Sequence, residues 1–166
     1  MNPSLVSLAS LLEAYEHVSP EIRLAAVLRR GDRILLLEHQ KAGQRYWVLP
    51  GGRLQARETL AAGLRRELHE ETALDATIGR LGIVCEMLSP DRHVITLIFQ
   101  ARLDDDAEPR LDRSDPVLAG CAWVELDRLP QLDLRPAIAD ALQATVAEDF
   151  GGSVRLLGDT WRRPVH

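Results

Sequence analysis

This sequence predicts an α/β fold, a mixed, curved sheet held between helices on its two faces, and three observations predict it. Short apolar runs bounded by turn residues recur along the chain and read as strands. Two segments, beginning at Thr59 and at Pro136, instead carry apolar residues three and four apart, the period of an amphipathic helix. The run Ile34-Leu35-Leu36-Leu37 is apolar on both of its faces, so its strand has to be covered from both sides.

Bulk properties bound the answer further. With 166 residues, one domain with a substantial core is expected. The composition, 46% apolar and 27% charged, is that of a globular protein. A formal charge of −5 argues against a binder of nucleic-acid polymers, which would show a basic face. It also means that a polyphosphate ligand would need help from a cation or a few arginines. Cys85 and Cys121 lie in apolar runs without ligand spacing and read as buried thiols. Leu5–Leu12 lacks a basic start and is too short to span a bilayer, so no membrane partner and a cytoplasmic location are expected.

Taken in order, Ser4 to Val18 set Leu5, Leu8, Leu11, Leu12 and Tyr15 on one side of a helix that Ser19-Pro20 ends. Residues 1–20 thus form an extension expected to cap the domain or to make a homodimer contact, with 21–166 as the single domain. Arg23–Arg30 and Arg33–His39 are strands joined at Gly31-Asp32. A polar loop, Lys41–Arg45, leads to the short strand Tyr46-Trp47-Val48-Leu49, which Pro50 ends. Lys41 and Arg45 can reach a phosphate or remain solvated; Trp47 can stack on a base or pack in the core.

Leu74–Leu88 and His93–Leu103 are two long strands around the turn Ser89-Pro90-Asp91-Arg92. Asp104–Pro116 is an acidic loop without apolar period, expected to be mobile. After a strand at Ala122–Leu126, Pro136 stands at the first position of a helix to about Asp149. Ile138, Ala141, Leu142, Thr145 and Val146 point inward, and Gly151-Gly152 stop it. Ser153–Leu157 reads as a last edge strand, and Trp161 as a packing or partner contact.

The chemistry concentrates between Gly51 and Leu74. A Gly-Gly turn leads into a helix with the stripe Leu60, Leu64 and Leu68, and Glu67, Glu70 and Glu71 project together beside it. Like charges at that spacing repel by roughly 0.2–0.5 kcal/mol per pair, and acids late in a helix oppose its dipole. Local rules are broken this densely at functional sites. Crowded, partly desolvated acids suit a hard divalent cation with oxygen ligands. A solvated acidic helix end is the plainer alternative.

These residues resemble the Nudix box: Gly52, five residues, Glu58, seven residues, then Arg66, Glu67, Leu68, Glu70, Glu71 and Leu74. Ala73 departs, standing where the family usually has a Gly that eases the helix exit. The resemblance implies the Nudix α/β/α sandwich and an enzyme that uses Mg²⁺ or Mn²⁺ to hydrolyse the pyrophosphate linkage of a small nucleotide substrate. It implies a catalytic set of Glu58, Arg66, Glu67, Glu70 and Glu71. In that set Glu67, Glu70 and Glu71 hold the metal, and the turn at Gly51 or Gly52 adds a carbonyl ligand. Glu58 would pair with Arg66 and keep it from neutralising the metal carboxylates. A later carboxylate often completes such a site; Asp115, shortly before the 121–126 strand, is the candidate. Glu70 and Asp115 are the alternatives for general base, and Arg45, Trp47 and Asp115 are the candidate substrate contacts. Pro90, sixteen positions beyond Leu74, is similar to the pattern in ADP-ribose hydrolases, although an ordinary turn proline explains it as simply. ADP-ribose or a nucleotide sugar therefore leads. A nucleoside triphosphate pyrophosphohydrolase and a catalytically silent nucleotide sensor are the other readings, the last opposed by the intact acids.

Overall fold

Alternation along one strand sets both layers. In the computed structural model, which describes residues 19–160 apart from Asp91 and Arg113, β1 (Glu21–Arg30) turns Leu24, Ala26 and Leu28 to one face and Ala25 and Val27 to the other. All five are buried, as two-sided coverage requires. The strand β2 (Arg33–Lys41) divides the same way: Ile34 and Leu36 join one core, Leu35 the other. The remaining strands are β3 (Gln44–Val48), β4 (Ala76–Ser89), β5 (Arg92–Leu103), β6 (Leu118–Glu125) and β7 (Arg155–Asp159). Their order is β3-β2-β1-β5-β4-β7, with β6 pairing β2. The pairs β1–β5 and β4–β7 are parallel and the others antiparallel, so the sheet is mixed.

Helix α1 (Leu60–Thr72) covers one face through Leu64 and Leu68, both fully buried. Each contributes on the order of 1.5–3 kcal/mol of apolar transfer. Thr59 caps α1, its Oγ1 accepting from the Ala62 amide at 3.2 Å. Leu60 does not complete the expected stripe; at the first helical position it stays 38% exposed. Ala73 ends α1 at φ +55°, the left-handed conformation that Gly would adopt without steric cost. Helix α2 (Ala139–Ala147) covers the opposite face with Leu142, Thr145 and Val146. The α/β/α sandwich is therefore present.

Several local expectations are corrected. Lys41–Arg45 is no loop: β2 runs to Lys41, Ala42 and Gly43 turn with positive φ, and β3 starts at Gln44. Pro136 precedes α2 rather than opening it, following a cis peptide bond to Arg135. The end of α2 is made by Asp149 and Phe150 at positive φ, before the glycine pair is reached. The acidic stretch after β5 is tied down. The Arg110 amide donates to the Thr72 carbonyl (2.8 Å) and the Asp112 amide to that of Glu71 (3.2 Å), satisfying carbonyls at the end of α1. Arg30 grips the same stretch through the Ala107 carbonyl and Glu108. Cys85 and Cys121 are free thiols. The expected helix over Ser4–Val18 and the contact at Trp161 lie outside the described residues. Among the described residues no helix is long and apolar enough to cross a membrane.

Only Arg29 and Arg30 of β1 pair with β2. Below them the edge of β1 is taken by residues 50–54. The Ala26 amide donates to Pro50 (2.9 Å), the Leu24 amide to Gly52 (2.8 Å), and the Leu54 amide to Ile22 (3.0 Å). The sheet opens at this place, and a cleft forms.

Candidate functional site

The cleft, about 1080 Å³, runs from the Gly51-Gly52 turn and α1 across β1, β4 and β5 to β3 and the segment before α2. At one end lie Glu67 and Glu71. The Gly51 amide donates to Glu71 Oε2 at 2.8 Å, which fixes that carboxyl against the turn. Gly51 has φ +140°, and a Cβ there would lie 2.1 Å from the Leu24 carbonyl oxygen. At Gly52 a Cβ would lie 2.2 Å from Glu67 Oε2. The glycine pair thus lets backbone and carboxylates approach each other directly.

Electrostatics at this end are unbalanced. Burial, above all, pushes the Glu71 carboxyl up to about 8; the negative Glu67 and Asp115 push the same way, while the Gly51 amide and Arg23 oppose it. Glu67 is also well covered, its side chain 16% exposed. The donors here are carboxylate and carbonyl oxygens, which fit a hard divalent cation. The Gly52 carbonyl already accepts from the Leu24 amide, which leaves the Gly51 carbonyl as the candidate without that bond for an additional ligand.

The three helix acids do not meet as one cluster. Among the described residues no group of three or more His, Cys, Asp or Glu side chains forms a ready metal centre. Glu70 lies outside the cleft, 56% exposed, with Oε2 accepting from Arg66 Nη1 at 3.1 Å. The reason is the helical step of about 100° per residue: Glu67 and Glu71 fall near one line along α1, while Glu70 is turned toward the Arg66 row. Arg66 binds Glu58 as expected, through Nη2 at 2.8 Å and Nε at 3.2 Å, and also the Arg53 carbonyl at 3.2 Å. That holds the loop to the helix. It does not keep Arg66 from the acids, since Nη1 donates to Glu67 Oε1 at 2.8 Å.

Asp115 lines the cleft, Oδ1 accepting from the Val117 amide at 2.8 Å in a local turn. Arg45 lines it too, paired with Glu38 at 3.3 Å. Trp47 does not. Its side chain packs on the core beneath α2, and its neighbour Tyr46 faces the cleft. Sequence reasoning also passed over Arg23, Arg53, His39 and Arg135, which all line the cleft. His39 and Tyr46 are register partners on β2 and β3, with ring centroids 5.5 Å apart and edge to face. Burial holds the His39 imidazole below its ordinary pKa, against the pull of Asp115. Pro90 stays in the β4–β5 turn, two residues from Arg92, which does line the cleft.

A model of the NUDIX domain family matches residues 20–145. The phosphatase NudJ of Escherichia coli K12 is 28% identical over 127 residues, 75% of this chain and 82% of NudJ. The crystal structure of a MutT NUDIX hydrolase from Burkholderia pseudomallei superposes with TM-score 0.66 at 27% identity, covering 75% of this chain and 97% of that one. An ADP-ribose pyrophosphatase from Streptococcus suis superposes with TM-score 0.64 over 85% of this chain and all of its own, at 21% identity, a likeness of fold alone.

Proposed function

The chain belongs to the Nudix hydrolase family, and from that premise we propose a Mg²⁺- or Mn²⁺-dependent enzyme that hydrolyses the pyrophosphate linkage of a nucleoside diphosphate derivative, with ADP-ribose or a nucleotide sugar as the leading substrate. The observation that carries this reading is the carboxyl pair Glu67 and Glu71 crowded inside the cleft against the Gly51-Gly52 turn. Burial and the nearby Glu67 charge raise the proton affinity of Glu71, and a divalent ion relieves that cost.

Glu67, Glu71 and the Gly51 carbonyl would hold the ion, and Glu70 would join them by leaving Arg66. When bound, such an ion offsets charge on the phosphate oxygens and makes a nearby water easier to deprotonate. Asp115 sits where its charge is felt at both Glu71 and His39, and takes the role of proton acceptor from the attacking water. Arg23 and Arg53, beside the acids, would draw in the phosphates. The Glu58–Arg66 pair positions the loop and is not itself in the cleft. Attack at one phosphorus breaks its bond to the bridging oxygen and leaves two phosphate monoesters.

The cleft, about 1080 Å³, has the volume for a nucleotide and a second moiety, which supports a two-part substrate over a compact one. Pro90, at a spacing that resembles that in ADP-ribose hydrolases, leans toward ADP-ribose. The test is incubation of the full chain with Mg²⁺ and ADP-ribose, nucleotide sugars, dinucleoside polyphosphates and nucleoside triphosphates. AMP with ribose 5-phosphate from ADP-ribose is expected. Pyrophosphate from triphosphates alone would replace this substrate choice with a triphosphate pyrophosphohydrolase. Turnover of nothing in the panel would overturn the reading.

A further inference from the structure

At the end of the cleft away from Glu71, a flat cationic surface has been assembled from residues that the hydrolytic chemistry does not use. Arg135 lies with its guanidinium carbon 4.2 Å from the centre of the Tyr46 ring. Four of its five N–H groups are bonded: Nε and Nη2 donate to Asp133 at 3.2 and 2.7 Å, and Nη1 and Nη2 donate to Gln44 at 3.3 and 3.2 Å. The backbone holds it too, because the Trp47 amide donates to the Asp133 carbonyl and the Arg135 amide to the Trp47 carbonyl, both at 2.8 Å.

What remains of this guanidinium follows by elimination. One face is on Tyr46, the edge formed by Nε and Nη2 is bonded to Asp133 and one Nη1 N–H is left over among the described residues, yet the side chain is 38% exposed and lines the cleft. The surface it offers is therefore its second face. A guanidinium meant for phosphate presents its edge, where paired N–H groups match two oxygens. Here Asp133 offsets the charge and takes that edge. A planar, pinned, largely compensated guanidinium backed by an aromatic ring is suited to stack on another flat π system.

We infer that Arg135, held flat between Tyr46 and Asp133, is the stacking platform for the nucleobase of the substrate, so the base lies at the β3 end of the cleft while the phosphates face Glu67 and Glu71. This rests on the nucleotide reading above, but it can be tested apart from turnover. Stacking of one base on such a platform is worth about 1–3 kcal/mol, roughly 5- to 150-fold in affinity.

The experiment is calorimetric titration of the metal-free full chain with AMP and, separately, with ribose 5-phosphate. Wild type is expected to bind AMP at least tenfold more tightly than ribose 5-phosphate. Arg135→Ala and Tyr46→Leu should abolish that preference. Arg135→Lys, which keeps charge and loses the plane, should weaken it about as much, and Tyr46→Phe should retain it. Circular dichroism and melting of each variant separate a lost fold from a lost platform. A role confined to stapling the loop would weaken both ligands equally, or neither, and would overturn the inference. So would wild-type protein that does not distinguish AMP from ribose 5-phosphate. A preference for AMP that depends on Arg135 sustains the platform even where the hydrolysis panel shows no turnover. An AMP affinity indifferent to Arg135 removes it even where nucleotides are cleaved.

Discussion

The two ends of the cleft solve opposite electrostatic problems. At the α1 end, burial, helped by the neighbouring carboxylates, pushes the Glu71 carboxyl up to about 8. At the β3 end, the Arg135 guanidinium is met by an acid, an amide and a ring, with most of its N–H groups engaged. The first region carries acids that suit a cation, and the second carries its own counter-charge. A site that must gather a charged cofactor keeps its charges in excess, whereas one that sorts a neutral group by shape can afford none. The contrast also explains why the acids could be recognised from spacing while the platform could not.

The sharpest way to break this comparison is to remove an acid from the crowded end. Glu71→Gln is expected to lower turnover by ~10²–10⁴-fold while the chain still melts cooperatively, as steady-state kinetics and a thermal scan would record. A variant with near-normal rate at saturating Mg²⁺ would detach Glu71 from the chemistry. Glu70→Gln is expected to cost nearly as much. A loss below tenfold would instead leave Glu70 with Arg66 and confine the ion to Glu67 and Glu71. Gly52→Ala drives a methyl into Glu67, and displacing that carboxyl by an ångström is expected to cost about 10²-fold in kcat/KM.

Stability gives the next measure. A Glu carboxyl that titrates near 4.5 in an unfolded chain and near 8 here binds a proton that the unfolded chain has already released in that interval. Its contribution to stability is full below the lower value and declines as pH rises through this window. In metal-free protein the melting temperature should therefore fall across that range by more than it does in Glu71→Gln. Mg²⁺ at a hundredfold excess over its Kd should restore about 2.7 kcal/mol at alkaline pH. Equal pH profiles for the two proteins would remove the crowding that sets this end of the cleft apart. The smallest effect is expected outside the cleft. Ala73→Gly relieves a left-handed alanine and should raise stability by about 1 kcal/mol, or ~2–4 °C in melting temperature, with kinetics unchanged.

Much of the frame was legible because it depends on period. The apolar runs of β1, β2, β4 and β5, the stripe of α1 and the cap at Thr59 each follow from side-chain spacing alone. Parity was not legible on β3. Alternation says that Tyr46 and Trp47 face opposite ways, and only the rest of the sheet decides which meets the cleft. The same holds for Glu70, whose neighbour Arg66 competes for it, and for Arg135, brought to Tyr46 by a backbone pairing with no local signature. Asp104–Pro116 has no period because hydrogen bonds to carbonyls at the end of α1 and to Arg30, more than apolar contacts, hold it.

That last attachment has a use. The amide of Asp112 donates to the carbonyl of Glu71, three residues before Asp115. Any shift of the Glu71 backbone is thus registered at a single N–H group outside the cleft. In an ¹⁵N-labelled sample this one resonance becomes a gauge of site occupancy, readable without substrate, chromophore or mutation.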